Sequence, residues 1–387
     1  MHTRRALSAL AVAGALSTAL ALGADAPLLL TNDDGWKHPN ILALYQSLKK
    51  LLVDGSKVKP VISAPETDQS GKGGLDPNAK TDVANGVDRD DPAIHWVRSY
   101  PVTSARYGLD ILGRKTWGSD SPVLVLSGIN DYRNTGEQLP SSGTCQNAVF
   151  ASRRGIPAVA LSGVARVPTA KRPDPPEAKS WDEARPVYAE LSTKLVGQIL
   201  GSKDFSEWPK GVWLNVNFPD VGGKCTKAGD FKWVLSQIDM NNLSELRRSA
   251  IIRKGAEGRD LEKCNLEDLP IEQEVLKNAP AGSCLVSVSI NDSLEGRVEK
   301  HLNRDWTSDM DGPGFLPGSP FEKEEKVDWS DMELVGPPVT SEPPHRKEYD
   351  EEKYRKEYEE KYRTIAHASL ERTKIVKKIL DDILSCK

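Results

Sequence analysis

The sequence predicts an α/β protein built on a three-layer, mostly parallel, doubly wound sheet. Short apolar runs alternate with amphipathic segments through roughly residue 220, and polar clusters follow several of the runs. The composition agrees, because 38% hydrophobic and 28% charged residues in a chain of 387 are typical of a soluble globular protein. The formal net charge of −4 gives no electrostatic basis for binding a nucleic-acid duplex.

The apolar runs predict the strands in order. The first strand is expected over residues 27–31 and is followed by a helix over residues 39–53. Further strands are predicted over residues 57–63, 121–127, 156–161, 211–218 and 284–290, and further helices over residues 144–154 and 177–200. In such sheets ligands bind outside the carboxyl ends of the strands, which is where the polar clusters fall.

The chain is predicted to begin with a cleaved signal peptide, residues 1–23. A basic start precedes an apolar run of about 17 residues, and Ala21 and Gly23 are small enough for a cleavage site. The alternative is a membrane anchor, but the run is short against the roughly 20 residues that a span needs. We therefore expect a secreted, extracellular protein with no membrane span after cleavage.

Three further regions follow the signal peptide. The main α/β domain is expected over residues 24–300, a Pro-, Gly- and Asp-rich extension over residues 301–345, and a charged C-terminal helix over residues 346–387. The chain has five cysteines, and an oxidising compartment would permit one disulfide among Cys225, Cys264 and Cys284 in a connectivity that the sequence leaves open. The absence of a CxxC pair argues against structural zinc.

Three polar clusters carry the candidate chemistry. The first is Thr31-Asn32-Asp33-Asp34-Gly35, where two adjacent carboxylates favour a cation between them, although an Asx turn capping the next helix is the alternative. The second, residues 64–74, offers a hydroxyl and loop amides, or else is a flexible surface loop. The third begins after residue 127 and offers an amide oxygen as a ligand. Its Ser142-Gly143-Thr144 segment forms either an anion site at the start of a helix or ordinary helix caps.

These clusters resemble one known family. The segments LLLTNDDG, APETDQSGKGG, SGIN…N.G…SSGT and LNVNFP occur in the order and at roughly the spacing of the SurE (survival protein E) family, over about residues 28–219 with a weaker match at 286–290. The resemblance implies a metal-dependent 5′/3′-nucleotidase or acid phosphatase. It also implies one divalent ion (Mg²⁺ or Mn²⁺), an extended hairpin excursion with swapped C-terminal elements, and a homodimer or higher homo-oligomer.

Site residues carry over one by one from this resemblance. The implied metal ligands are Asp33, Asp34, Ser70 and Asn130. The residues implied to line the phosphate pocket are Asn32, Gly71, Asn134, Ser142, Gly143 and Thr144. The chain departs from the family pattern at Tyr132, where Gly is frequent, at Ser141, where Tyr is frequent, and in its longer C-terminal third.

The residues and the resemblance together predict a phosphomonoesterase that hydrolyses small substrates such as nucleoside monophosphates. The metal would act as a Lewis acid, and the nucleophile is either water or one of the two catalytic carboxylates, Asp33 and Asp34. His38 is either a general acid or a surface residue at a helix start. The alternative function is a secreted, non-catalytic protein that binds nucleotide or phosphate. A dinucleotide enzyme and a serine esterase are disfavoured, since GxGxxG and GxSxG are missing.

Overall fold

The computed structural model describes residues 25–76, 83–118, 121–164, 179–238, 269–277, 284–293 and 371–384. Its strands are β1 (Asp25–Thr31), β2 (Leu52–Val53), β3 (Ser56–Pro65), β4 (Asn85–Val87), β5 (Ile94–Val97), β6 (Leu124–Asn130), β7 (Ala158–Ser162), β8 (Val212–Asn217), β9 (Lys232–Ser236) and β10 (Leu285–Asp292). Its helices are α1 (Pro39–Leu48), α2 (Pro101–Tyr107), α3 (Gly113–Trp117), α4 (Gly143–Arg153), α5 (Trp181–Gly201), α6 (Glu272–Lys277) and α7 (371–380).

A single mostly parallel sheet forms the centre, in the order β4-β5-β3-β1-β6-β7-β8-β10-β9, with β2 beside β3. The strands from β5 to β8 in this order are parallel to one another. Strand β10 reverses direction against β8, and β9 follows β10 in parallel. The parallel strands end at one edge, which gathers the polar residues that follow them.

The residues of β1 alternate between two cores, and this alternation makes the three layers. Leu28 and Leu30 belong to the core on one face, which also includes residues of α1, α5 and α7, whereas Leu29 belongs to the core on the other face, with Val125 and residues of α4. Side chains of successive strand residues point to opposite faces, so a fully apolar run serves both cores. The predicted fold class is therefore confirmed.

The boundaries of the first helix differ from the prediction for a local reason. Helix α1 ends at Leu48, five residues before the predicted end at Val53. Leu52 and Val53 instead pair antiparallel with the start of β3 across Asp54 and Gly55, both at positive φ. An Asp-Gly pair flanked by β-forming residues is a strong hairpin signal, and it overrides the helical spacing of the leucines.

The start of α5 is also later than predicted, at Trp181 rather than residue 177. Ser180 and Glu183 form a capping box, in which the carboxylate accepts hydrogen bonds from the amide and hydroxyl of Ser180. That reciprocal pair fixes the first turn of the helix. Strands β4, β5 and β9 and helices α2, α3 and α6 were not predicted, because they are short and have little periodicity.

The C-terminal helix α7 packs on the outside of α5. The side-chain amide of Gln198 donates to the carbonyl of Ile379 at 3.2 Å, and Lys378 pairs with Asp204 at 2.9 Å. Of the predicted charged helix, only residues 371–384 are described. The predicted signal peptide (1–23) and extension (301–345) lie outside the described residues.

A disulfide joins Cys225, in the loop after β8, to Cys284 at the start of β10, with 5.4 Å between their Cα atoms. The expected pairing within this group is thereby confirmed, whereas Cys264 lies outside the described residues. In the described part of the chain, no helix is long and apolar enough to cross a membrane. The extended hairpin implied by the resemblance has no counterpart in the ranges given above.

Candidate active site

The loop after β1 is shaped by Asn32. Its side-chain amide donates to the carbonyl of Gly35 at 2.9 Å, and its carbonyl oxygen accepts from the amide of Gly35 at 3.2 Å. Helix α1 is capped by His38, whose Nδ1 accepts from the amide of Asn40 at 3.4 Å. From the sequence, the Asp pair could have formed this turn or this cap. Asn32 and His38 make them instead, so both carboxylates are available for another role.

Asp33 lies against the first turn of α4. The Thr144 hydroxyl donates to Asp33 Oδ1 at 2.5 Å. A Cβ added to Gly143 would stand 2.8 Å from the Cβ of Asp33, so only glycine permits this approach. Ser142 caps the helix by accepting from the amide of Cys145 at 3.1 Å. The Asp33 carboxylate, just after the end of β1, therefore lies at the positive end of the α4 dipole.

Asp34 belongs to a second contact group, with His38 and Asp131. Ligand atoms of the three side chains lie within 4.8 Å of one another. His38 Nε2 is 3.5 Å from Asp131 Oδ2, and Asn40 orients Asp131 by donating to its Oδ1 at 2.7 Å. His38 is therefore both the residue at the helix start and a neighbour of the Asp pair.

The loop after β3 reaches the site through its backbone. The amide of Gln69 donates to the carbonyl of Asp33 at 2.8 Å. The next residue, Ser70, is exposed, and its hydroxyl donates to Asp68 at 2.7 Å. Gly71 follows, exposed and at positive φ. The predicted ligand Ser70 is thus near Asp33 in the loop but hydrogen-bonded within its own turn.

The two predicted asparagines lie at and after the end of β6. Asn130 is buried, and its side-chain amide donates to the carbonyl of Tyr132 at 2.7 Å. Because that leaves the carbonyl oxygen of the side chain free of this contact, Asn130 can present an oxygen ligand. The side-chain amide of Asn134 donates to Ser162 at the end of β7, at 2.9 Å. The ligand and phosphate-binding roles of Asn130, Asn134 and the other predicted site residues stay predictions.

The electrostatics of the Asp pair fit a cation. Burial raises the pKa of Asp33, and hydrogen bonds from Thr144 offset this in part. Burial and the charge of Asp33 raise the pKa of Asp34 to about 8. Asp34 Oδ2 is buried and has no hydrogen-bond partner within the described ranges. A divalent ion would stabilise both charged forms and coordinate this oxygen, and oxygen ligands suit Mg²⁺ or Mn²⁺.

Three site residues were missed by sequence reasoning. Asp131 directly follows Asn130, so its position beside a predicted ligand could have identified it. Asp68 raises the pKa of Asp33 and Asp34 by its charge, and it lies two residues before Ser70. Asn147 donates to Ser127 at 3.2 Å from the α4 face that carries Thr144. Asn147 lies three residues after Thr144, a spacing that places both side chains on the same face of a helix, and this could have identified it from the sequence.

Comparison with known proteins gives relatives of two kinds. The chain is 30% identical to a 5′-nucleotidase SurE of Hyphomonas neptunium over 201 residues, which are 50% of this chain and 66% of that protein. It is 32% identical to an acid phosphatase of Yarrowia lipolytica, over 51% of this chain and 60% of that protein. The chain thus spans slightly less than two thirds of the length of these two relatives.

A third relative is matched over more of its length, and one solved structure is similar. A 5′-nucleotidase SurE of Bradyrhizobium diazoefficiens is 30% identical over 60% of this chain and 87% of that protein. The crystal structure of the SurE protein from Aquifex aeolicus matches 69% of this chain and 93% of that chain, with a TM-score of 0.47 and 21% identity. The family model described as Survival protein SurE matches residues 28–239. This match covers more than half of the sequence, from the first strand through β9, and the chain therefore belongs to the SurE family.

Proposed function

We propose that this chain is a divalent-metal-dependent phosphomonoesterase, a 5′- or 3′-nucleotidase or acid phosphatase that acts on small phosphate monoesters such as nucleoside monophosphates. The observation that carries the proposal is the Asp33–Asp34 pair: Asp33 is buried against the start of α4, and Asp34 has a buried oxygen without a hydrogen-bond partner among the described residues. The names of the relatives, 5′-nucleotidase and acid phosphatase, support it.

The metal would be held by Asp33, Asp34, Ser70 and Asn130. A bound divalent ion supplies a Lewis acid that polarises a phosphate oxygen. Asp131 lies in the same cluster as Asp34 and would add a further carboxylate near that ion. Asn40 keeps the Asp131 carboxylate oriented, in the way that hydrogen-bonded neighbours orient ligands in metal sites.

The first turn of α4 would bind and orient the phosphate group. Ser142 satisfies the amide of Cys145, and the positive end of the helix dipole then acts on groups near Gly143 and Thr144. Thr144 holds Asp33 in place, so the carboxylate and the phosphate group would share one helix end. The nucleophile is water or one of the two aspartates.

Two further properties belong to the proposal. Secretion is supported by the basic and apolar start of the sequence and by the Cys225–Cys284 disulfide, since such bonds persist in oxidising compartments. Assembly into a homodimer or higher homo-oligomer is supported by the family resemblance.

The test is turnover of p-nitrophenyl phosphate and of nucleoside monophosphates by the purified protein, with and without a chelator. We expect turnover that the chelator abolishes and that added Mg²⁺ or Mn²⁺ restores. Nucleotide binding without metal-dependent turnover would instead identify a non-catalytic binding protein.

A further inference from the structure

Glu272, the first residue of α6, is a carboxyl group buried far from the Asp pair in sequence. It has no exposed surface. Its Oε1 accepts two hydrogen bonds, from the side-chain amide of Asn215 on β8 and from the hydroxyl of Ser289 on β10, both at 2.7 Å. Burying a carboxyl group is costly unless hydrogen bonds compensate it. Because both donors are neutral side chains, we interpret Glu272 as a residue that holds its neighbours in position.

Asn215 connects Glu272 to the loop that follows β6. The same side-chain amide that donates to Glu272 also donates to the carbonyl of Asn134 at 2.8 Å. Asn217 holds the same residue, since it donates to that carbonyl at 3.0 Å and accepts from the amide of Asn134 at 2.9 Å. Asn134 is thereby fixed by two neighbouring side chains of β8, one of which is itself fixed by Glu272.

The loop held in this way, residues 131–142, carries much of the candidate site. It begins beside the predicted ligand Asn130 and ends at Ser142, the cap of α4. The backbone amide of Gly136, two residues after Asn134, also faces the Glu272 carboxyl. Loops open locally at low cost unless their backbone is held, and binding sites need their supporting residues fixed.

We propose that Glu272 is a positioning residue that fixes residues 131–142 for phosphate binding, through Asn215 and the backbone of Asn134. The inference rests on the proposed function for the identity of the bound group. Helix α6 would thus support the site although it lies more than 100 residues after Thr144 in the sequence. Gln in place of Glu272 would still accept from both donors, whereas Ala would leave the amide of Asn215 and the hydroxyl of Ser289 without their buried acceptor.

The test compares Glu272→Ala, Glu272→Gln and the control Ser289→Ala, each as the full chain with Mn²⁺. KM and kcat are measured with p-nitrophenyl phosphate, and the Kd of inorganic phosphate by calorimetry. For Glu272→Ala we expect KM and the phosphate Kd to rise about tenfold, the effect of losing one buried hydrogen bond. Glu272→Gln and Ser289→Ala should stay within about twofold of wild type, since each keeps the Asn215 contact.

If Glu272→Ala lowers only the active fraction, with KM and the phosphate Kd unchanged, Glu272 is merely structural and the inference is overturned. If that variant does not fold, Asn215→Ala decides the matter, because it removes the same link from the other side and should raise the same two constants. Wild-type protein that binds phosphate without turnover would overturn the proposed function alone, since the Kd values still report on Glu272. Wild-type protein that neither turns over substrate nor binds phosphate would overturn both.

Discussion

The ionisation of Glu272 should make the stability of the whole fold depend on pH. Burial raises the pKa of this carboxyl from 4.5 to about 8, and hydrogen bonds from Ser289 and Asn215 offset the effect only in part. Between these two pH values the folded protein keeps a proton that the unfolded chain has lost. Stability from the neutral carboxyl is therefore complete below about pH 4.5 and is lost as pH rises to about 8.

The size of the effect follows from the interval between the two pKa values. An interval from 4.5 to about 8, at about 1.4 kcal/mol per pH unit, corresponds to on the order of 5 kcal/mol. This is comparable with the total stability of many domains, which is about 5–15 kcal/mol. The Glu272→Gln variant keeps the acceptor oxygen and cannot ionise, so it should lack this pH dependence.

The assay is urea unfolding of wild type and Glu272→Gln at about pH 5, 7 and 9, with free energies of unfolding extrapolated to water. Asp33 and Asp34 also have raised pKa values, but they are present in both proteins and cancel in the difference. We expect the difference, wild type minus variant, to fall by several kcal/mol from about pH 5 to about pH 9. A difference that does not change with pH would refute the reasoning.

Three predictions concern the site itself. Asp34→Asn should abolish turnover and leave the circular dichroism spectrum unchanged; near-normal activity would mean that the metal is placed wrongly. Gly143→Ala should lower kcat/KM at least about tenfold, since its Cβ would stand 2.8 Å from the Cβ of Asp33, whereas the control Gly229→Ala meets nothing within 4 Å and should match wild type. Thr144→Val removes a hydrogen bond that lowers the pKa of Asp33, so the acidic limb of the pH profile of kcat/KM should move to higher pH; an unmoved limb would contradict this.

The part of the site that sequence could predict is the part set by local pattern. A short apolar run ending in Asn32-Asp33-Asp34 reads as a buried strand with polar residues at its carboxyl end. Strand β1 pairs with β6, and the chain from β6 leads into α4. Adjacent parallel strands end at the same edge, so the contact between Asp33 and Thr144 follows from the alternation of strands and helices.

The role of Asn32 shows where local pattern becomes ambiguous. Asn and Asp side chains both form Asx turns, so the sequence alone cannot say which of three successive residues closes the loop. The structure gives the turn to Asn32 and the cap of α1 to His38. Neither Asp33 nor Asp34 is therefore needed for the turn or the helix cap, which strengthens the interpretation of their carboxylates as ligands.

Glu272 could not have been predicted, because its environment is made by residues distant in sequence. Helix α6 has six residues, too few for a periodic pattern, and a Glu beside Gln273 and Glu274 ordinarily lies in solvent. Its burial depends on β10 reversing direction beside β8, so that Ser289 and Asn215 face each other. Local reasoning thus finds the residues that would touch phosphate, whereas those that hold them in place emerge only from the pairing of strands. Variants chosen from sequence motifs alone would therefore not test supporting residues such as Glu272 and Asn215.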